Sequence, residues 1–186
     1  MTTVLNININ DLSTQFVREL KNRFDKTTQI EIRINTREQA VELLSDAQFW
    51  QIIALIDWTK EHHTDILAAS VASLAKLPIA HIYLFHDKLS EKLYHLDTKA
   101  HIAEYVAKDP AHFLSVDDFL YVRCAVVAEG QFYYENVLKN PTQMPFEIAF
   151  EPLLSVASDA YKMKTGKQFD YFPVFNYETG SNKENR

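Results

Sequence analysis

Apolar and polar residues alternate strictly at the start of the chain. In "VLNININ", Leu5, Ile7 and Ile9 are interleaved with Asn6, Asn8 and Asn10, and "QIEIRIN" repeats the pattern with Ile30, Ile32 and Ile34 against Glu31 and Arg33. A period of two turns one face of each segment apolar, which predicts two half-buried strands. Between them Phe16, Val17, Leu20 and Phe24 recur at helical spacing, with Asp11 or Ser13 as an N-cap. Residues 1–35 therefore predict a small β-α-β unit, its strands parallel through a right-handed crossover. Two strands and one helix bury little by themselves. The cover is expected from the helical body, the C-terminal tail or the same unit of a second subunit.

From Thr36 the period becomes helical. "TREQ" at 36–39 and "SDAQ" at 45–48 have the capping-box form, and "SVDD" at 115–118 is a looser version with an acid in the fourth place. Helices are expected over 37–44, 46–60, 65–76, 79–107 (bent or broken), 116–139 and 148–164. Pro78, Pro110, Pro141 and Pro145 punctuate them, and Gly166 serves as a C-cap. The last stretch gathers Phe169, Tyr171, Phe172, Phe175 and Tyr177 around Pro173. Aromatic side chains at that density favour an extended segment draped over the helices; the functional alternative is a recognition strand for a partner. The expected fold is thus mainly α: a multi-helix globular domain over 36–182, a small N-terminal β-α-β unit over 1–35 that mediates interaction or dimerisation, and an extended aromatic C-terminal tail.

Composition narrows the function classes. The 186 residues carry a formal net charge of −6, and the lysines and arginines are scattered among acids. Nucleic acid, which is held by neutralising phosphates, is therefore not an expected partner. The longest uncharged apolar-and-small run, "ILAASVASLA" at 66–75, is too short to cross a bilayer, so no membrane partner is expected. A lone cysteine, Cys124, cannot close an internal disulfide, and no charged-then-apolar leader is read at the start. A reducing cytoplasm is the expected compartment.

Candidate chemistry centres on "SVDDFLYVRCAVVAEGQFYYENVL" at 115–138. Phe119, Val122, Val126, Gly130 and Tyr133 form one stripe on a helical wheel, and Leu120, Cys124, Val127, Tyr134 and Leu138 form another, so this helix should be central. Arg123 then sits where water is scarce and must find a carboxylate or several carbonyls, because a guanidinium does not shed its proton. Asp57, set in "FWQIIALIDW", and Asp97, ending the apolar part of "KLYHLDTKAH", are the expected ion-pair partners. A core polar cluster of Arg123, Asp57, Asp97, Asp118, His101 and Trp50 is expected as architecture. The functional alternative is a substrate-holding cleft using Arg123 with Asp57, Asp97, Asp117 or Asp118. Cys124 on an apolar stripe reads as a buried thiol rather than a nucleophile.

His86-Asp87 resembles the histidine-aspartate pair of metal-dependent phosphohydrolases, with His62, His63, His81, His101 and Asp118 as other available ligands. The match is two residues long, and the bland reading is favoured. Asp97 and His101 share a helix face at a separation of four. Gly130 in mid-helix is expected to admit a close neighbour such as Trp50 or Tyr161, or to mark a kink.

"FW" at 49–50, "SVDDFLYVR" at 115–123, Tyr134 with "NP" at 140–141, "AYKMKTGK" at 160–167 and "YETGSN" at 177–182 have the order and spacing of a bacterial family, domain of unknown function 4240. The chain resembles that family over about residues 46–182. The family marks fall here on Asp117, Asp118, Phe119, Arg123, Tyr134, Asn140 and Pro141. No glycine precedes the acid pair, and the N-terminal unit is longer. The resemblance implies a mainly helical fold and carries no activity, substrate or cofactor. The expected function is a non-enzymatic binding protein, acting in regulation or as an immunity- or antitoxin-like module, whose acidic surface meets a more basic protein. A hydrolase with an Arg/Asp/His cleft and a homodimer built through residues 1–35 are the alternatives.

Overall fold

A computed structural model describes residues 43–183 together with Arg18, Glu19, Asn22 and Phe24. The chain divides into two compact units, Met1–Val41 and Glu42–Arg186. In the first unit Arg18, Glu19 and Asn22 are helical, within the stretch that the Phe16–Phe24 spacing marks as a helix. Both expected strands, the "TREQ" cap and most of the 37–44 helix lie outside the described residues. Leu43 and Leu44, the end of that expected helix, are not helical.

The second unit is built of seven α-helices among the described residues: α1 (Asp46–Ile53), α2 (His63–Lys76), α3 (Ile79–Leu96), α4 (Lys99–Lys108), α5 (Val116–Ala128), α6 (Gln131–Lys139) and α7 (Val156–Thr165). Two 3-10 turns, Pro141–Gln143 and Glu151–Ser155, connect the later ones. No described residue lies in a strand. The helix starts follow the local chemistry. Ser45 accepts from the Gln48 N–H while the Gln48 side chain accepts from the Ser45 N–H, a complete capping box, and Ser115 accepts from the Asp118 N–H. Gly166 ends α7 in the left-handed conformation, at φ 70°.

Four expected helices are shorter or divided; the 148–164 helix begins only at Val156, after the Glu151–Ser155 3-10 turn. The 46–60 helix stops at Ile53, and Asp57 instead braces a turn, its Oδ1 accepting from the Thr59 N–H and hydroxyl. The 79–107 segment breaks at Asp97 and Thr98, where the Thr98 hydroxyl caps α4 through the His101 N–H. The 116–139 segment is two helices meeting at Gly130. Its φ of 98° and ψ of 175° belong to a region that is essentially glycine-only, and a Cβ built there would meet nothing within 4 Å. Backbone conformation, not a close neighbour such as Trp50 or Tyr161, therefore demands this glycine.

α5 is central, as its two apolar stripes require. Phe119, Leu120 and every residue from Val122 to Ala128 are buried, against α3, α6 and the Glu151–Ser155 turn. α2 pairs with α7, and α7 also packs on α3. Gly130→Ala keeps the space but forces a strained backbone, so we expect a loss of about 1–3 kcal/mol. Thermal melts check this: the midpoint should fall by several degrees, and an unchanged midpoint would mean that the turn relaxes.

Candidate functional site

α3 carries one polar and aromatic face, Tyr83, His86, Asp87, Ser90, Tyr94 and Asp97, repeating every three or four residues. Residues 169–182, which lie in no helix or strand, run alongside it in the same direction and form a strap. Their inward side chains pack on that face: Phe169 stacks on Tyr83 at 5.7 Å, Tyr171 meets Tyr83 at 4.7 Å, Phe175 meets Tyr94 at 5.2 Å, and Tyr177 meets His86 edge-on at 6.2 Å. Between the rings, Asp87 takes the Tyr171 hydroxyl at 2.7 Å and the Val174 N–H at 2.9 Å.

The end of the strap is held by two buried charges. Arg123 is fully buried and donates from Nη1 to the Leu93 carbonyl (2.8 Å) and the Tyr177 carbonyl (3.0 Å), and from Nη2 to Thr179 Oγ1 (2.8 Å). The Thr179 hydroxyl donates onward to the Val116 carbonyl at 2.7 Å, tying the strap to the first turn of α5. The guanidinium also lies 4.9 Å from the centre of the Phe119 ring, and its Nε has no acceptor. Burial draws the Arg123 pKa down and the nearby Asp97 charge opposes that shift, so the group stays cationic.

Asp97, also fully buried, receives the Gly180 N–H at 2.9 Å and the Asn182 N–H at 3.0 Å. These amides converge because Gly180, at φ 93°, closes a turn in which the Ser181 N–H reaches the Glu178 carbonyl. Asn182 Nδ2 adds a bond to the Tyr94 carbonyl.

The expected polar cluster is thus partly assembled and partly dispersed. Arg123 and Asp97 share the strap, but no ion pair among the described residues includes Arg123. Its Nη groups are met by two carbonyls and a hydroxyl, so the expected Arg123–Asp57 or Arg123–Asp97 ion pair is corrected to a bridged arrangement. Asp57 is a half-exposed turn residue near Lys60, and Asp117 and Asp118 are exposed on the first turn of α5. Asp57 misleads because the helix that would have buried it ends at Ile53. Trp50 packs on Phe49 and Tyr134.

His101 is buried with Nε2 against the Val137 carbonyl (3.0 Å) and Nδ1 against the Thr98 hydroxyl (2.7 Å). A carbonyl only accepts, so the neutral Nε2–H tautomer fits every contact. His86 is likewise buried, with Phe169, Tyr171 and Tyr177 edge-on around it. Asp87 has both oxygens engaged by the strap. Among the described residues no group of three or more His, Cys, Asp or Glu side chains could hold a metal. Cys124 is sealed in the core, and burial pushes its thiol up to about 12. The hydrogen bonds that hold the strap escape sequence reasoning because main-chain carbonyls and amides leave no residue signature; the aromatic residues and the "YETGSN" turn are its visible marks.

A family model described as a protein of unknown function, DUF4240, matches residues 44–163. The chain belongs to the DUF4240 family. The match takes in all seven helices but the last two residues of α7, and with them Asp87, Asp97 and Arg123, while the strap lies beyond it. No curated protein and no solved structure matches the chain. No helix among the described residues is long and apolar enough to cross a membrane.

His86 and His101 share a titration consequence. Burial lowers both pKa values below the usual 6.5; for His86 the neighbouring Asp87 partly opposes the shift, and for His101 the Val137 hydrogen bond opposes it while Arg123 adds to it. A depressed histidine pKa means that the folded form favours the neutral ring. Its stability is fully present above pH 6.5 and is lost as pH falls from there through the folded pKa values. Urea midpoints should be flat just above neutral pH and decline below pH 6.5, less steeply in His86→Phe. Midpoints that rise on acidification through that window would contradict this assignment.

Proposed function

We propose that the chain is a non-enzymatic protein-binding module, acting in regulation or as an immunity- or antitoxin-like partner. The observation that carries this reading is the outer side of the strap. Its residues alternate between facing the body and facing solvent, and the outward set includes Phe172, 89% exposed, and Val174, 75% exposed. A single exposed apolar side chain is ordinary on a protein surface. Two at alternate positions of the strap, with Asp87 anchoring Tyr171 and Val174 from below, form an ordered apolar edge. Such an edge suits an apolar patch on a partner.

The net charge of −6 steers the encounter toward a basic protein and fits the absence of a basic stripe in the sequence. The hydrolase alternative draws no comparable support. The acids it would use are divided between exposed positions (Asp117, Asp118), a turn (Asp57) and a carboxylate already occupied by amides (Asp97).

Phe172→Ser with Val174→Ser tests the reading without touching the body. Tagged wild-type chain, isolated from its native cell at low salt, should enrich a specific partner that the double variant loses while keeping its melting midpoint. Equal capture by both chains, or none by either, would overturn it. A captured second copy of the chain would mark the homodimer alternative.

A further inference from the structure

We propose that the face of α3 and α5 beneath the strap is a groove for extended peptide segments, filled in cis by residues 169–182 and able to take in trans a segment of the same pattern. That pattern is aromatic side chains at alternate positions followed by a threonine-glycine turn. The groove builds on the binding-module reading above and supplies it with a partner chemistry.

Part of the grip falls on main-chain atoms and part on the Tyr171 and Thr179 hydroxyls and the Asn182 amide. Asp87 holds the Val174 N–H, Arg123 the Tyr177 carbonyl, and Asp97 the Gly180 and Asn182 N–H groups. Peptides in general carry these groups, so this part of the clamp is not particular to this chain's own tail, while Arg123 also reads the Thr179 hydroxyl and Asp87 the Tyr171 hydroxyl. Selectivity comes from the ring-lined positions that receive Phe169, Tyr171, Phe175 and Tyr177, as when a peptide strand binds with alternate side chains in pockets.

The clamp and its occupant also belong to different parts of the chain. Asp87, Asp97 and Arg123 lie within the family-matched stretch 44–163, and the strap begins after it. Arg123 Nε, buried and without an acceptor, shows that the strap does not saturate the guanidinium. Departure of the strap needs no helix to unwind. α7 ends at Gly166 in the left-handed conformation, and Gly166, Lys167 and Gln168 are exposed, which makes them a natural hinge. A tethered strap competes at a high effective concentration, so a free segment should enter only when the strap is weakened.

The test uses the full chain with Tyr171→Ala and Phe175→Ala, which remove two strap anchors and leave the body intact. A fluorescent peptide with the sequence of residues 169–183 is titrated and followed by anisotropy. Saturable binding to the double variant, little to the wild type and none of a scrambled peptide is the expected result. Adding Arg123→Lys should weaken binding about tenfold or more, as loss of charged hydrogen bonds implies. A double variant with wild-type helicity that does not bind the peptide overturns the groove.

Should the double variant lose its helicity, hydrogen exchange on the wild type decides. The Val174, Gly180 and Asn182 amides should exchange through an opening that leaves the α3 and α5 amides protected. Exchange of these amides only together with the helix core overturns the proposal. Failed peptide binding with partner capture still dependent on Phe172 and Val174 removes the groove and leaves the module; the reverse pattern removes the outer edge and leaves the groove.

Discussion

A permanently charged guanidinium and a carboxylate lie buried in one helical body, and a single short segment reaches both. Arg123 cannot neutralise itself by losing a proton, and Asp97 has no exposure through which water could serve it. Residues 177–182 answer the first with a carbonyl and a hydroxyl and the second with two amides. An unpaired buried charge is among the most costly defects a core can hold. The C-terminal strap is therefore a structural part of the body. α5 can occupy the centre because its one cation has acceptors on two sides, the Leu93 carbonyl of α3 and the strap.

The same constraint links architecture to the binding reading. A body that satisfies its buried charges through the main chain of an extended segment holds that segment in a fixed register. Phe169, Tyr171, Phe175 and Tyr177 reach aromatic positions on α3, and Phe172 and Val174 are presented to solvent. Order on the inner face and exposed apolar groups on the outer face thus have one cause. The family match encloses the charged residues and stops short of the strap, so the body and the segment it grips are separable in sequence though joined in the fold.

Much of this was legible from residues alone. The Ser45 capping box, the Ser115 cap, the Gly166 stop and the central place of α5 follow from local chemistry and helical periodicity. The burial of Arg123 followed from the wheel, and its need for a carboxylate or several carbonyls from the chemistry of guanidinium. Which of the two it found did not, because a carbonyl belongs to every residue and marks none. Asp57 looked buried because the apolar run around it continues past Ile53, whereas the helix does not. Gly130 reads as a packing notch or a kink, and the structure has a break there; φ cannot be read from a sequence, and the two helices it joins merge into one apolar pattern. Thr98 as a helix start lacked the Glu or Gln that would complete a capping box; His101 stands there instead.

The bridged charges are tested most directly by a double-mutant cycle on Arg123→Lys and Asp97→Asn, with stability measured by urea unfolding of the two single variants and the double. If one strap serves both groups, releasing it from either end already forfeits much of what the other end holds. The double variant should then be destabilised by at least about 1 kcal/mol less than the sum of the singles. Losses that add to within about 0.5 kcal/mol would show the two charges to be independent, and the account built on their shared segment would fail.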